Sequence, residues 1–490
     1  MQLEVSQHSP PRADLADRKP VTPHDDENVL SRVALKLTAW MERWFPDAFV
    51  FVLLAVLFGA AGAFAIGAPA TGIVKAFGNG FWDLIPFTLQ ASLVVIGGYV
   101  VASSPVATRV IGWLASIPKS GAGAVGFIAT VSCMSSLVNW AFSLVFSALL
   151  VKEMARRHPQ LDYRAASASA ILGVGSVWAL GLSSAPAQLQ ANAGSLSPSL
   201  LKVTGVIPFS QTIFLWQSMV MAAVLLVVTI SVAYLASPRG KRAVNAAALG
   251  IDVSVRPEPD DPCTRPGERL ERSRVLSLIV VAFAAVYLGL TFAEKGFFSA
   301  ISNLNTYNFM FLTLGLLLHQ TPRRFTKAVS EAVPSVSGIL IQFPFYAGVA
   351  GILTHAVSPT GATLASAVAH TFTNVGHDLF APAVAVYSAL LGMFIPSGGG
   401  KWLVEAPYIM QAANEVKMHL GWTVQIYNAA EALPNLINPF WMIPVLGLVG
   451  LRPRDIIGFT FLQFLINTPL VLLMCWIFGK TLQYLPPMMP

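Results

Sequence analysis

Apolar runs of about 20 residues follow one another along this chain, and a bilayer-spanning α-helix needs ~20 such residues. Only 11% of the 490 residues are charged, whereas a soluble domain carries about 25%. Backbone polar groups in lipid need partners within their own segment, so these runs fold as helices. The sequence predicts an all-α polytopic membrane protein with about nine to eleven spans. The runs lie near residues 47–67, 84–103, 122–151, 165–184, 212–236, 275–293, 303–319, 333–356, 379–395, 426–450 and 455–478.

The positions of basic residues predict the topology. In the arrangement considered, residues 122–151 enter and leave the membrane on the same side. The region from 379 through the glycine triplet at 398–400 does the same. On that arrangement 25 of the 31 Lys and Arg residues lie on the inner side. Because cytoplasmic loops carry an excess of Lys and Arg, this distribution predicts two re-entrant hairpins and a cytoplasmic amino terminus.

Weak similarity between the two halves predicts an inverted repeat. Without gaps, Ser135, Trp140 and Glu153 coincide with Ser397, Trp402 and Glu415, 262 residues later. Transporters built from such repeats bind substrate near the membrane midplane, where helices are broken. The predicted units are a cytoplasmic tail (1–46), a first membrane repeat (47–236), a cytoplasmic linker (237–274), a connecting span (275–302), a second, inverted membrane repeat (303–480) and a carboxy-terminal tail (481–490).

The predicted binding site is formed by the tips of the two hairpins. The first tip is Ser135-Ser136-Leu137-Val138-Asn139, and the second is Ser397-Gly398-Gly399-Gly400-Lys401. Small residues let backbone amides approach a ligand, and amides at a helix start carry partial positive charge that suits a carboxylate. The serine and asparagine side chains add further hydrogen-bonding groups. Close packing of membrane helices is the alternative explanation for the small residues.

Two charged residues lie near the second tip. Lys401 and Glu405 are four residues apart, so their side chains share a helical face. In one hypothesis Lys401 binds the substrate carboxylate and Glu405 tunes it; in the other, the two charges neutralise each other beside a hydrated vestibule. We interpret Glu431, nearer the outer end of its span, as a hydrated rim carboxylate, with proton acceptance as the alternative. Glu405 and Glu431 are the candidates for ion coupling.

Three prolines interrupt the run at 426–450: Pro434, Pro439 and Pro444. Asn435 and Asn438 lie between the first two and share a helical face. Prolines remove amide donors and leave carbonyls free, so both asparagines are candidate substrate-binding residues. The alternative is a kinked helix whose asparagines bond to neighbouring backbone. Gly173 and Gly175 predict a comparable weak point in the first half. The polar segment 183–190 is a further candidate for lining an access path.

Other function classes lack their sequence patterns. No HExxH, Walker A, GxSxG or GxGxxG motif supports an enzyme. Three dispersed cysteines predict neither a disulfide framework nor a metal site. The net charge of +7 comes mainly from loops that orient the chain rather than from a nucleic-acid surface. We expect no cofactor beyond H⁺ or Na⁺ as a coupling ion.

The segment Ile395-Pro-Ser-Gly-Gly-Gly-Lys-Trp402, with Ser136-Leu-Val-Asn-Trp140 upstream, resembles the bacterial short-chain fatty acid (acetoacetate/butyrate) transporter family. The resemblance implies an ion-coupled, inner-membrane carrier of short-chain monocarboxylates. The larger ion-transporter superfamily, to which that family is similar, commonly forms homodimers and moves substrate by an elevator motion. An exchanger of dicarboxylates or ions from the same superfamily is the first alternative, and an anion channel is the second.

Overall fold

The computed structural model of the protein describes residues 29–44, 48–83, 85–193, 196, 198–253, 265–296, 300, 303–373 and 375–488. Residues 1–28 of the predicted tail and 254–264 of the predicted linker therefore lie outside the described residues. So do positions 297–299, 301 and 302, at the end of the predicted connecting span, and 489–490, at the end of the carboxy-terminal tail. Across the described ranges the regular secondary structure is helical, apart from an isolated bridge between Gly205 and Met488.

The helices of the first half, in chain order, are α1 Val29–Trp44, α2 Ala48–Ala65, α3 Ala70–Asp83, α4 Ile85–Ala102, α5 Pro105–Ala115, α6 Gly121–Val138, α7 Trp140–Arg157, α8 Tyr163–Ser169, α9 Leu172–Ser176, α10 Ala185–Gln190, α11 Pro198–Thr204 and α12 Trp216–Ala236. The linker and the connecting span contribute α13 Gly267–Glu271 and α14 Arg274–Lys295.

The helices of the second half are α15 Leu304–His319, α16 Pro322–Ala332, α17 Ser337–His355, α18 Leu364–Thr373, α19 His377–Gly392, α20 Gly398–Glu415, α21 Leu420–Ala432, α22 Ile443–Val449 and α23 Pro453–Gly479. Short 3₁₀ turns lie at Trp178–Leu180, Phe209–Gln211, Gly240–Arg242, Ala247–Leu249, Val333–Val336, Leu433–Leu436 and Pro439–Trp441.

The predicted all-α polytopic architecture is confirmed. Within the described residues, 5 helical segments are long and apolar enough to cross a membrane: Gly121–Val138, Trp216–Ala236, Arg274–Lys295, Pro322–His355 and Pro453–Gly479. The pair Thr88–Ala102 and Pro105–Ala115, bent by 81°, brings the number to 6 if it forms one span. The larger number of spans stays a prediction, as do the orientation of each half and the depth to which the hairpins enter the membrane.

The first predicted hairpin is a helix that reverses at one residue. Asn139 ends α6 and caps α7, and its side-chain oxygen accepts a hydrogen bond from the Phe142 amide at 2.9 Å. The Ser143 hydroxyl donates to the Ser132 carbonyl at 2.7 Å, so α7 returns along α6. The turn is thus shorter than the predicted tip, because Ser135 and Ser136 still belong to the last turn of α6.

The second predicted hairpin reverses over residues 393–397, between α19 and α20. The Lys401 ammonium donates to the Ser388 carbonyl at 2.8 Å, which shows that α20 returns beside α19. The glycine triplet, which the sequence places in the hairpin tip, is instead the first turn of α20. The Ser397 hydroxyl accepts a hydrogen bond from the Gly400 amide at 3.3 Å, and this cap starts the helix at Gly398.

The gap-free comparison of the halves misplaces one pair. It predicts that Ser135 corresponds to Ser397, but Asn139 is the residue that, like Ser397, caps the second arm of its hairpin. One residue connects the arms of the first hairpin and five connect those of the second, so an alignment without gaps cannot match both arms. The inverted relation between the halves stays a prediction.

Two broken, buried helical segments pack against each other. One runs through α8, α9 and a 3₁₀ turn, and the other through α21, two 3₁₀ turns and α22. The Asn435 side chain donates to the Val174 carbonyl at 3.0 Å, and a Cβ on Gly175 would collide with Leu436. Both predicted weak points are therefore real interruptions, and they pack directly on each other.

The amino-terminal helix and the linker also pack against the helical body. Helix α1 falls within the predicted tail, yet it packs so closely on α23 that a Cβ on Gly458 would collide with Thr38. The Asp162 carboxylate accepts a hydrogen bond from the Val244 amide at 3.0 Å, and the Tyr163 amide donates to the Val244 carbonyl at 2.8 Å. Asp162 thereby fixes the start of the linker to the base of α8.

Candidate functional site

The tips of the two hairpins meet at one cavity of about 370 Å³. Sites for small molecules commonly measure about 300–1,000 Å³, so the space suits a small ligand. The first tip contributes Asn139, and the second contributes Ser397 and the glycine triplet. The full lining is Gln90, Val138, Asn139, Trp140, Val174, Trp178, Ser183, Ala185, Gln188, Asn303, Ser397, Gly398, Gly399, Gly400 and Trp441.

The amino termini of α7 and α20, at the two hairpin tips, lie at this cavity. First-turn amides have no partner within their own helix and carry partial positive charge. In α7 the Trp140 amide donates to the Ser183 hydroxyl at 2.9 Å. In α20 the Gly398 and Gly399 amides have no hydrogen-bond partner among the described residues. The second tip therefore offers two unused backbone donors to a ligand.

Trp178 forms the wall between the tips and supplies another unused donor. Its side chain is only 6% exposed, and its Nε1 has no hydrogen-bond partner in the described part of the chain. A buried donor without an acceptor is costly, so a ligand oxygen at the cavity would satisfy it. A Cβ on Gly398 would lie 2.5 Å from Cη2 of this indole, which explains why α20 starts with glycine.

The remaining walls are largely apolar and aromatic. The Trp140 and Trp441 rings meet edge to face with centroids 4.9 Å apart, and Val138 and Val174 lie beside them. None of the described residues that line the cavity is a lysine, arginine or histidine. An anion bound there would be held by neutral donors and helix termini, with a short apolar body against the aromatic walls.

Lys401 follows the glycine triplet but does not line the cavity, because its ammonium forms ion pairs with two buried carboxylates. Its Nζ lies 3.1 Å from Glu405 Oε1 and 2.6 Å from Glu431 Oε2. All three side chains are between 0% and 1% exposed. The pairing of Lys401 with Glu405 is observed, whereas the interpretation of Glu431 as a hydrated rim residue is wrong. Helix α21 packs on α20 and brings Glu431 directly to the ammonium.

Four other candidate residues lie outside the lining of this cavity. The Asn438 side chain donates to the Met393 carbonyl at 2.7 Å and accepts from the Tyr346 hydroxyl at 3.1 Å. Asn435 bonds to backbone in the first half, as described above, so both asparagines match the alternative of a kinked, internally bonded helix. The Ser135 hydroxyl donates to the Val131 carbonyl at 2.5 Å, and Ser136 is fully buried in α6.

The sequence hypothesis missed several lining residues, notably Gln90, Trp178, Asn303 and Trp441. A glutamine inside the apolar run at 84–103 was a usable signal, since a polar group at membrane depth needs a partner. The tryptophans gave no such signal, because aromatic residues are ordinary in apolar spans. Ser183, Ala185 and Gln188 come from the polar segment 183–190, which the sequence had marked as a candidate lining.

Membrane-length helices, two broken helical segments and a cavity with hydrogen-bonding hairpin tips and apolar walls are the features of a multi-pass α-helical membrane transporter. The sequence profile of the short-chain fatty acid transporter family matches residues 29–478. The chain belongs to this family. The family resemblance predicted from the hairpin segments is therefore confirmed, as is the prediction of a transporter rather than an enzyme.

Two relatives carry the same description, "Putative short-chain fatty acid transporter". The protein from Escherichia coli (strain K12) is 34% identical over 441 residues, which cover 88% of this chain and 96% of that protein. The protein from Haemophilus influenzae (strain ATCC 51907 / DSM 11121 / KW20 / Rd) is 30% identical over 454 residues, which cover 91% and 99%.

Two solved structures show a more distant likeness. The YdaH transporter of Alcanivorax borkumensis has 15% sequence identity and a TM-score of 0.43, with 89% of this chain and 98% of that chain covered. MtrF of Neisseria gonorrhoeae, from a class of antimetabolite efflux pumps, has 14% identity and the same TM-score of 0.43, with 93% and 100% covered.

Proposed function

We propose that the protein is a secondary transporter that carries short-chain monocarboxylates, such as butyrate or acetoacetate, across the bacterial inner membrane with an ion gradient. The observation that carries the proposal is the cavity between the hairpin tips. Two helix starts meet there with an indole N–H that has no partner among the described residues, and none of the described lining residues is basic. Membership of the family supports this class of substrate.

In the proposed binding mode, the carboxylate accepts hydrogen bonds from the Gly398 and Gly399 amides and from Trp178 Nε1. Ser397 caps the tip that presents the two glycine amides, and Asn139 caps the opposite tip. The acyl chain lies against the aromatic walls, where apolar burial contributes about 0.8 kcal/mol per methylene.

Because none of the described lining residues is basic, the cavity favours monocarboxylates over dicarboxylates. Neutral donors and helix termini can stabilise one carboxylate. A second carboxylate in the same cavity would be desolvated without a positive partner, which is unfavourable. The dicarboxylate exchanger of the same superfamily is therefore the second candidate.

Transport by alternating access would expose this cavity to each side of the membrane in turn, as in other transporters built on discontinuous helices. We include in the proposal an inner-membrane location, a cytoplasmic amino terminus, symport and a homodimer, all of which follow from the loop charges or the family resemblance. The coupling ion is a proton or sodium.

Proteoliposomes containing the full chain test the proposal. Short-chain acids cross lipid in their neutral form, so the signal is the initial uptake rate above protein-free liposomes prepared in parallel. We expect saturable, protein-dependent accumulation of labelled butyrate or acetoacetate under a proton or a sodium gradient. Unlabelled monocarboxylates should compete, and dicarboxylates should not.

The alternatives give different results in the same preparation. Strong competition by dicarboxylates would support the exchanger, and single-channel currents in a planar bilayer would support the anion channel. If neither gradient drives protein-dependent uptake of a monocarboxylate, the proposed function is wrong.

A further inference from the structure

A cluster of three ionisable side chains lies directly behind the cavity. The Lys401 ammonium lies within 3.1 Å of a carboxylate oxygen of both Glu405 and Glu431, and none of the three side chains is more than 1% exposed. The Lys401 ammonium also donates to the carbonyl and to the hydroxyl of Ser388, at 2.8 Å each. Four acceptors thus surround one buried cation.

The charges of this cluster do not cancel. One ammonium and two carboxylates leave a net negative charge when all three groups are ionised. An uncompensated buried charge costs several kcal/mol. This cost favours a bound proton on one of the two carboxylates, because the proton makes the cluster neutral. The other titratable groups that face the cluster are phenols: Tyr427 on α21, with Tyr387 on α19 and Tyr408 on α20 behind it.

The hydrogen bonds distinguish the two carboxylates. Glu405 receives two donors, the ammonium and the Ser388 hydroxyl, the latter at 2.9 Å. Glu431 receives only the ammonium among the hydrogen bonds and ion pairs of the described residues. Donors stabilise the ionised form of a carboxyl group, so the proton belongs on Glu431 and Glu405 remains the counter-ion of Lys401.

The cluster is mechanically connected to the substrate cavity. Lys401 is the residue after Gly400, and its amide donates to the Ser397 carbonyl at 2.8 Å in the first turn of α20. The Tyr427 hydroxyl donates to the Gly398 carbonyl at 2.7 Å, and its ring lies 4.3 Å from the Lys401 ammonium. A change of charge in the cluster therefore acts on the turn that lines the cavity.

We propose that Glu431 carries the proton that is coupled to carboxylate transport, with Lys401 and Glu405 as its buried counter-charges. This inference rests on the proposed function and assigns its coupling ion. A substrate anion at the start of α20 repels a net negative cluster next to it. Anion binding and proton binding then favour each other, and this coupling is reciprocal.

The proposed cycle transfers one proton per carboxylate. On the loading side, a hydronium ion transfers a proton to a carboxylate oxygen of Glu431: one O–H bond of the hydronium ion breaks, an O–H bond forms on the glutamate, and a water molecule is left. Lys401 then pairs mainly with Glu405. The charges of the proton and the substrate anion cancel, so the occupied, protonated state has the same net charge as the substrate-free, unprotonated state. After reorientation, the proton and the carboxylate leave to the opposite side.

Calorimetry with the purified full-length protein measures the proton directly. Butyrate is titrated at a series of pH values, up to mildly alkaline, into matched samples in two buffers that differ in ionisation enthalpy, and the difference gives the protons taken up per butyrate. We expect uptake by the wild type to rise towards about one proton as the pH increases and the butyrate-free cluster loses its proton, and Glu431→Gln to take up none at any pH while it still binds butyrate. Glu415→Gln, the same substitution at an exposed site at the end of the neighbouring helix α20, should match the wild type.

If Glu431→Gln fails to fold, Glu405→Gln serves instead, because it also makes the cluster neutral without a proton and should abolish proton uptake. Wild-type protein that binds butyrate without proton uptake, or a neutral variant that retains it, would overturn the assignment of Glu431. Butyrate counterflow in proteoliposomes separates this result from the proposed function, since exchange needs no gradient. Counterflow without proton uptake refutes the proton site alone, whereas absence of counterflow and binding refutes both.

Discussion

Replacement of Trp178 by phenylalanine tests the cavity as a carboxylate site. The change removes the buried indole N–H, which has no partner among the described residues, and keeps an aromatic wall. A hydrogen bond to a charged group contributes about 1.5–3 kcal/mol. Since about 1.4 kcal/mol corresponds to a factor of ten, butyrate affinity should fall about 10- to 150-fold.

The fold should tolerate this substitution. No hydrogen bond within the described chain is lost, so the cost is the packing of a smaller ring, on the order of 1 kcal/mol. The prediction therefore separates two readouts: a large loss of affinity with a small change in the free energy of unfolding. If Trp178 had a purely structural role, the loss of butyrate affinity would be accompanied by a comparable loss in the free energy of unfolding.

The chain provides a matched control in Trp402. Its side chain is fully buried, and its Nε1 also has no hydrogen-bond partner in the described ranges, but it does not line the cavity. Trp402→Phe removes the same atoms and should leave butyrate affinity unchanged. Affinities are measured by calorimetry in detergent and stabilities by thermal melting. Unchanged affinity in Trp178→Phe, or equal losses in both variants, would refute the proposed carboxylate site.

Two further substitutions test the packing around the site and the linker. Gly398→Ala places a methyl carbon 2.5 Å from the indole behind it; overpacking costs about 1–3 kcal/mol, so melting temperature and uptake should fall. Gly78→Ala, with nothing within 4 Å of the added carbon, should change neither, and equal behaviour of the two would contradict the contact. Asp162→Ala removes the acceptor of the Val244 amide, so trypsin should cleave the linker faster than in wild type. The exposed Glu271→Ala serves as control, and identical cleavage rates in both variants would show that Asp162 does not hold the linker.

Hydropathy located most helices to within a few residues. The apolar run at 212–236 is observed as Trp216–Ala236, and the run at 275–293 as Arg274–Lys295. Glycine and proline also predicted the helix interruptions correctly: the one near Gly173 and Gly175 and the one at 433–441 are both present. These features depend on residues close together in the chain, so a sequence pattern can report them.

Which residues form the site, and in what environment, depends on long-range contacts that no local sequence pattern reports. Glu431 looked like a rim residue because its depth was judged along its own span, whereas its environment is set by α20 packing on α21. The glycine triplet looked like a loop because glycine and proline usually interrupt helices. The Ser397 cap and the close contact with Trp178 favour a helix start there instead.

By itself, the sequence determined that this is a helical membrane protein, where most of its helices and breaks lie, and, through the hairpin segments, its family. The tertiary structure alone decided which groups meet: the two tips and an unpaired indole at one cavity, and one lysine between two glutamates behind it. The physical reason is that hydropathy and backbone preference act over a few residues, while the partner of a buried charge or donor is chosen by helix packing across the whole fold.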